Sequence, residues 1–124
     1  MSRPSWDEYY LDGARWAASR SDCERDRVGA ILVKDGRVRG AAYNGAPPKK
    51  PGCITCPRRA SNVEPGSDYN SGPGRCVALH AEQNILIHYD RDDLIGGTLY
   101  VTRKPCPECA KLLGGSGLER IVHP

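Results

Sequence analysis

Between residues 4 and 20, Trp6, Tyr9, Tyr10, Ala14 and Ala17 return at three- and four-residue steps, the spacing of one helical face. Pro4 suits a first turn, and Ser5 with Glu8 has the spacing of a capping box. The pattern predicts an amphipathic helix over 4–20. From Val28 to Lys34 (VGAILVK) the chain changes to a short apolar run of strand length. Asp35-Gly36 is a two-residue hairpin turn, because both positions tolerate positive φ, and Arg37 to Tyr43 (RVRGAAY) returns as the second strand.

Hydrophobic periodicity then stops. Asn44 to about Leu79 holds 6 of the 10 prolines and three of the six cysteines. A loop of that length is uncommon in a compact domain unless something pins it. Pattern resumes with a helix from about His80 to Tyr89 (HAEQNILIHY) and a strand over Thr98–Thr102. A short helix over Pro107–Gly114 and a final strand over Leu118–His123 complete the chain. The closing strand–helix–strand unit should be parallel with a right-handed crossover. The expected class is α/β, a mixed β-sheet with helices on its faces.

The length, 124 residues, fits one domain, so 1–124 is read as a single unit with the Cys-rich loop at about 44–79 inside it. A formal charge of +3, scattered along the chain, is too small to argue for a nucleic-acid surface. The first residues, MSRPSWDEYY, contain no apolar signal core, and no run approaches the ~18 apolar residues of a membrane span. The chain therefore reads as a soluble, cytoplasmic protein with no membrane partner. In that compartment six cysteines point to metal rather than to disulfides.

Two motifs carry the chemistry. His80-Ala81-Glu82 opens a predicted helix, and Pro105-Cys106-Pro107-Glu108-Cys109 lies at a strand-to-helix turn. Taken alone, HxE is an ordinary exposed helix start and CxxC is a structural zinc knuckle or redox pair. Together, in this order, they match the signature of zinc-dependent base deaminases. One imidazole and two thiolates give zinc three protein ligands and leave a fourth position for water, whose pKa falls towards ~7. Pro107 suits a first helical position and so places both thiols at a helix start, where unpaired N–H groups favour thiolate. Glu82 follows His80 too closely to share the metal easily and is placed to move protons instead.

The sequence resembles the deoxycytidylate (dCMP) deaminase family within the zinc-dependent cytidine deaminase superfamily. The residues that carry the resemblance are Val28-Gly29-Ala30, Tyr43-Asn44-Gly45-Ala46-Pro47, Leu79-His80-Ala81-Glu82-Gln83-Asn84, Thr98-Leu99-Tyr100-Val101-Thr102, Pro105-Cys106-Pro107-Glu108-Cys109-Ala110-Lys111 and Gly117-Leu118-Glu119-Arg120-Ile121-Val122. The HxE and PCxxC pieces are shared across the superfamily, whereas YNGAP and LHAEQN are more specific. The resemblance implies a cytidine deaminase-like three-layer sandwich with a central mixed sheet. It implies that His80, Cys106 and Cys109 hold a catalytic zinc, that Glu82 shuttles protons, and that dCMP and water become dUMP and ammonia. Asn44, Gly45 and Ala81 would line the substrate site, with Asn44 facing the sugar and phosphate. It also implies a homo-oligomer. Family members commonly continue past this last strand with another helix and strand.

A phosphate needs Arg, Lys or a helix N-terminus. Arg27, Lys49, Lys50, Arg75, Arg103 and Lys104 lie near motif residues, and Arg27, just before the first strand, is the first choice. Four cysteines remain. Cys53 and Cys56 have knuckle spacing, Cys23 precedes the first strand, and Cys76 lies four residues before His80. A second, structural zinc held by all four would tie down the long loop, since metal binding supplies folding free energy; some relatives look similar in carrying one. With both metals and six thiolates the formal charge drops to about +1, so any affinity for phosphate must be local. Alternative functions are a deaminase of another cytosine nucleotide or nucleoside, or of a guanine- or pterin-like ring. Others are a deaminase of adenine or cytosine in nucleic acid and a non-catalytic two-zinc module. Nucleic acid is disfavoured by the low charge and by aromatics already assigned to helices and strands. Glu82 argues against the binding module, because a structural site needs no carboxylate there.

Overall fold

The computed structural model describes residues 2–23, 26–45 and 78–124. Helix α1 spans Trp6–Ala18, and strands β1 (Gly29–Lys34) and β2 (Arg37–Tyr43) follow. After the long loop come α2 (Ala81–His88), α3 (Arg91–Leu94), β3 (Thr98–Val101), α4 (Pro107–Gly114) and β4 (Arg120–Val122). The sheet order is β2-β1-β3-β4. Strand β1 is antiparallel to both β2 and β3, while β3 and β4 are parallel, as the strand–helix–strand pattern predicts. The sheet is therefore mixed.

Two apolar clusters make the fold three layers. Ala30, Leu32, Leu99 and Val101 meet Ala81 and Ile85 of α2, Leu94 of α3 and Leu113 of α4 on one face. Ile31, Val33 and Tyr100 meet Tyr10 and Ala14 of α1 on the other. Successive residues of β1 thus point into opposite cores, which is why AILV reads as a continuous apolar run instead of an alternating one. The hairpin turn is as predicted: Asp35 and Gly36 have φ of 53° and 71°.

Helix α1 begins where Ser5 caps it, its Oγ accepting from Glu8 N at 3.1 Å, so it is shorter at both ends than the pattern predicts. The larger difference lies in its apolar face. Tyr10, Ala14, Ala17 and Ala18 are buried, but Trp6 and Tyr9 remain 72% and 55% exposed. The cause is close packing at Gly29, where a Cβ would lie 2.0 Å from Ala14 O and 2.4 Å from Ala18 N. Small side chains bring helix and strand together along the Ala14–Ala18 line, which leaves the bulky aromatics at its edge. The four-residue α3, which buries Leu94, is too short to show in periodicity. Among the described residues no helix is long and apolar enough to cross a membrane.

Candidate active site

Two helix starts build the site. His80 is the N-cap of α2, and its backbone N–H donates to Gln83 Oε1 at 2.8 Å. Asn84 Nδ2 donates to Tyr43 O at 2.9 Å and so ties the same end of α2 to the end of β2. Cys106 is the N-cap of α4, with Pro107 at the first helical position and Cys109 N donating to Cys106 Sγ at 3.4 Å. The helix carrying both thiols thus starts where the sequence predicts.

These starts converge. His80 Nδ1 lies 3.2 Å from Cys109 Sγ and 3.6 Å from Cys106 Sγ, and the donor atoms of all three residues lie within 4.8 Å of one another. Burial first, then the Glu82 carboxylate and Cys106, push the Cys109 thiol well above the ordinary thiol range. Without a cation this is a costly arrangement, because desolvation and a neighbouring anion both oppose the thiolate. A divalent cation reverses both penalties, and an imidazole with two thiolates is a borderline-soft donor set that suits zinc. The residues fit the metal.

Glu82 stands outside that donor group and is 3% exposed. Burial raises its carboxyl pKa above the usual range, against the lowering effect of its own backbone N–H and of nearby His80. Such a carboxyl is suited to taking up and releasing a proton. Both His80 and Glu82 line a cavity of about 90 Å³ that also includes Val28, Asn44, Ala81 and Cys106, with Asp26, Arg103 and Lys104. One water needs roughly 10–15 Å³ of comparable space, so the cavity takes a considerably larger group.

A model of the family described as the cytidine and deoxycytidylate deaminase zinc-binding region matches residues 4–123. This chain belongs to that family. One relative is the deoxycytidylate deaminase of Mycobacterium phage D29, 63% identical over 125 residues, with 100% of this chain and 98% of the phage protein covered. The deoxycytidylate deaminase of Saccharomyces cerevisiae is 36% identical across 99% of this chain, which spans 38% of the yeast protein. Among solved structures, the dCMP deaminase of cyanophage S-TIM5, in complex with dCMP and dUMP, aligns with a TM-score of 0.71 and 26% identity. That alignment covers 99% of this chain and 83% of the cyanophage chain. Family and solved structure agree with the cytidine deaminase-like fold that the sequence resemblance implies.

The remaining predicted site residues fall in different places. Asn44 lines the cavity, but its amide also braces the fold: Oδ1 accepts from Val28 N at 2.8 Å, and Nδ2 donates to Asp26 O at 2.8 Å. Ser21 Oγ sits 2.6 Å from Asn44 Oδ1 and 2.7 Å from Asn44 O, its one hydroxyl hydrogen serving both. Ala81 is fully buried at the first position of α2 and forms part of the cavity wall. Gly45 pairs with Leu79 through two backbone hydrogen bonds of 3.1 and 2.8 Å and lies away from this cavity. Arg27 is exposed and is not among the cavity residues, whereas Arg103 and Lys104 are. Cys23 is half-buried with a free thiol, its backbone N–H donating to Ser21 Oγ at 3.2 Å. Cys53, Cys56 and Cys76 lie outside the described residues. Sequence reasoning missed Asp26, which is held at the cavity by Asn44 and meets Arg103 through the pairing of β1 with β3.

Proposed function

We propose that the protein hydrolytically deaminates a cytosine deoxynucleotide, converting dCMP and water to dUMP and ammonia. The observation that carries this reading is the convergence of His80, Cys106 and Cys109, with His80, Cys106 and the buried Glu82 lining one cavity. Support comes also from the relatives named deoxycytidylate deaminase and from the solved dCMP deaminase complex. His80 Nδ1, Cys106 Sγ and Cys109 Sγ would hold the catalytic zinc. When bound, zinc supplies the acidity that makes water a nucleophile at neutral pH. Glu82 accepts a proton from the attacking water and delivers it to the departing amine, so that a C–O bond forms at the ring carbon as the C–N bond breaks. Ala81 and Val28 supply apolar wall of the same cavity, and Asn44 holds the segment before β1 through Val28 N and Asp26 O.

A second zinc on Cys23, Cys53, Cys56 and Cys76 completes our reading of the cysteines. It is supported by the CxxC spacing and by a half-buried free thiol at Cys23. Family resemblance also carries our reading of the protein as a homo-oligomer. Purified protein is to be incubated with dCMP, CMP, dCTP, deoxycytidine and a short oligonucleotide while cytosine absorbance is followed. Turnover of dCMP above the others supports the reading, and activity confined to the oligonucleotide or to none of them overturns it. Metal analysis should return two zinc per chain; one per chain removes the second site.

A further inference from the structure

The cavity lining combines two kinds of group. His80, Cys106 and the buried Glu82 are the reacting groups, while Asp26, Arg103 and Lys104 are solvent-exposed charges on the same lining. How Arg103 arrives there follows from strand register. Ala30 faces Val101 across the antiparallel β1–β3 pair. Pairing runs on past the strand ends, with Thr102 N donating to Gly29 O at 3.0 Å and Gly29 N donating to Thr102 Oγ1 at 3.1 Å. Continuing that register by one step sets Arg103 against the segment just before β1. There its Nη1 donates to the Asp26 carboxylate. Asp26 is held in turn through its backbone carbonyl by Asn44.

We propose that Arg103 is the residue that reads the substrate's phosphate, with Asp26 as the positioning residue that aims its guanidinium over the cavity and Lys104 as a second cation. This rests on the cytosine deaminase reading above. Arg presents five N–H donors in a rigid fork, so a guanidinium held through Nη1 keeps further donors for a phosphate without giving up Asp26. The side chain of Arg103 is 59% exposed and that of Asp26 47%, which places the pair at the solvent-facing mouth. A highly charged phosphate is cheapest to bind there, while the uncharged base enters the drier interior. The buried Glu82 repels a phosphate, which favours entry of the nucleotide base first. A nucleoside carries no phosphate and so gains nothing from the free donors of Arg103 or from Lys104.

The test compares dCMP with deoxycytidine, which share the reacting ring and differ in the phosphate. Arg103→Ala should lower kcat/KM for dCMP by about 10- to 100-fold, mostly through KM, and leave deoxycytidine nearly unchanged. Arg103→Lys should recover part of the loss, as a point charge replacing a fork. Asp26→Asn should cost a smaller, about 2- to 5-fold, amount with the same selectivity, and the double variant should be no worse than Arg103→Ala. Calorimetric binding of dUMP should weaken by a similar factor, a readout independent of turnover. Should Arg103→Ala lower the Tm, Arg103→Gln takes its place. Equal losses on dCMP and deoxycytidine, or no loss on either, overturn the assignment. A wild-type protein that deaminates neither compound overturns the deaminase reading instead.

Discussion

Two polar clusters sit against β3, one from each side of the sheet, and they obey opposite rules. On the α1 side, Asp7 accepts from Tyr100 OH at 2.8 Å and pairs with both terminal nitrogens of Arg120, at 3.0 and 3.3 Å. Every charge there meets its complement. Arg120 first and Tyr100 second hold the Asp7 carboxyl below the usual carboxylate range, and burial followed by the Asp7 bond pushes the Tyr100 phenol up to about 12. On the α2–α4 side, two thiols and an imidazole face one another beside a buried carboxylate, and the group's own charges oppose ionisation. The first cluster is complete as folded and joins α1, β3 and β4. The second is completed only by a cation. Complementary partners serve stability, whereas convergent like donors mark a binding site.

The largest effects should come from breaking the second cluster in two different ways. Glu82→Gln removes proton transfer and leaves the three donors in place. Turnover should fall by about 10²- to 10⁴-fold while metal analysis still finds the catalytic zinc. Cys109→Ala removes a donor that is 1% exposed, so it should lose both turnover and that zinc. If Glu82→Gln loses the metal as well, the carboxylate is a ligand and its separation from the donor group is wrong.

Next in size is the packing that sets α1 against the sheet. A Cβ at Gly29 would press on the backbone at Ala14 and Ala18, with no flexible side chain to give way. Gly29→Ala should therefore destabilise by at least about 1–3 kcal/mol in chemical denaturation. Gly13 supplies the contrast within the same interface. A Cβ there would meet only Ile31, at 3.4 Å, and an alanine inside a helix gains about 1 kcal/mol over glycine. Gly13→Ala should be neutral or stabilising. Equal losses at both positions would show that the helix–strand distance is not what Gly29 sets.

Local features were legible and lateral ones were not. The hairpin turn and the helix start at Pro107 are written in contiguous residues, and His80, Glu82, Cys106 and Cys109 in two short motifs of fixed internal spacing. Asp26 and Arg103 are 77 residues apart and meet because β3 pairs with β1, a choice that neither strand's pattern records. Arg27 ranks first in the sequence because the resembled family usually keeps a basic or polar residue before that strand, but antiparallel register brings Arg103 to the cavity. Trp6 and Tyr9 misled for a related reason. Helical spacing shows which residues share a face, but Gly29 decides which part of that face the sheet covers.

The smallest effect, and the sharpest on the comparison, is expected at Asp7. Asp7→Asn keeps the size of the side chain and removes the charge that Arg120 meets, so it should lower the Tm at neutral pH by a few degrees at most, as for exposed pairs generally. Its pH dependence separates it from a packing defect. The folded pKa of Asp7 lies below its unfolded value of about 3.9, so its contribution is complete above that value and drains as pH falls through the folded pKa. Tyr100 works in the other direction. Its pKa is raised from about 10 to about 12, so its contribution is complete below pH 10 and is lost as pH climbs towards 12. The difference in Tm between wild type and Asp7→Asn should form a plateau between about pH 5 and 10, close as pH falls through the folded pKa of Asp7, and only narrow towards pH 12, where the Arg120 pair outlasts the Tyr100 bond. A difference that persists at pH 2 would assign Asp7 to packing, and the α1-side cluster would no longer stand as the charge-matched counterpart of the metal-binding one.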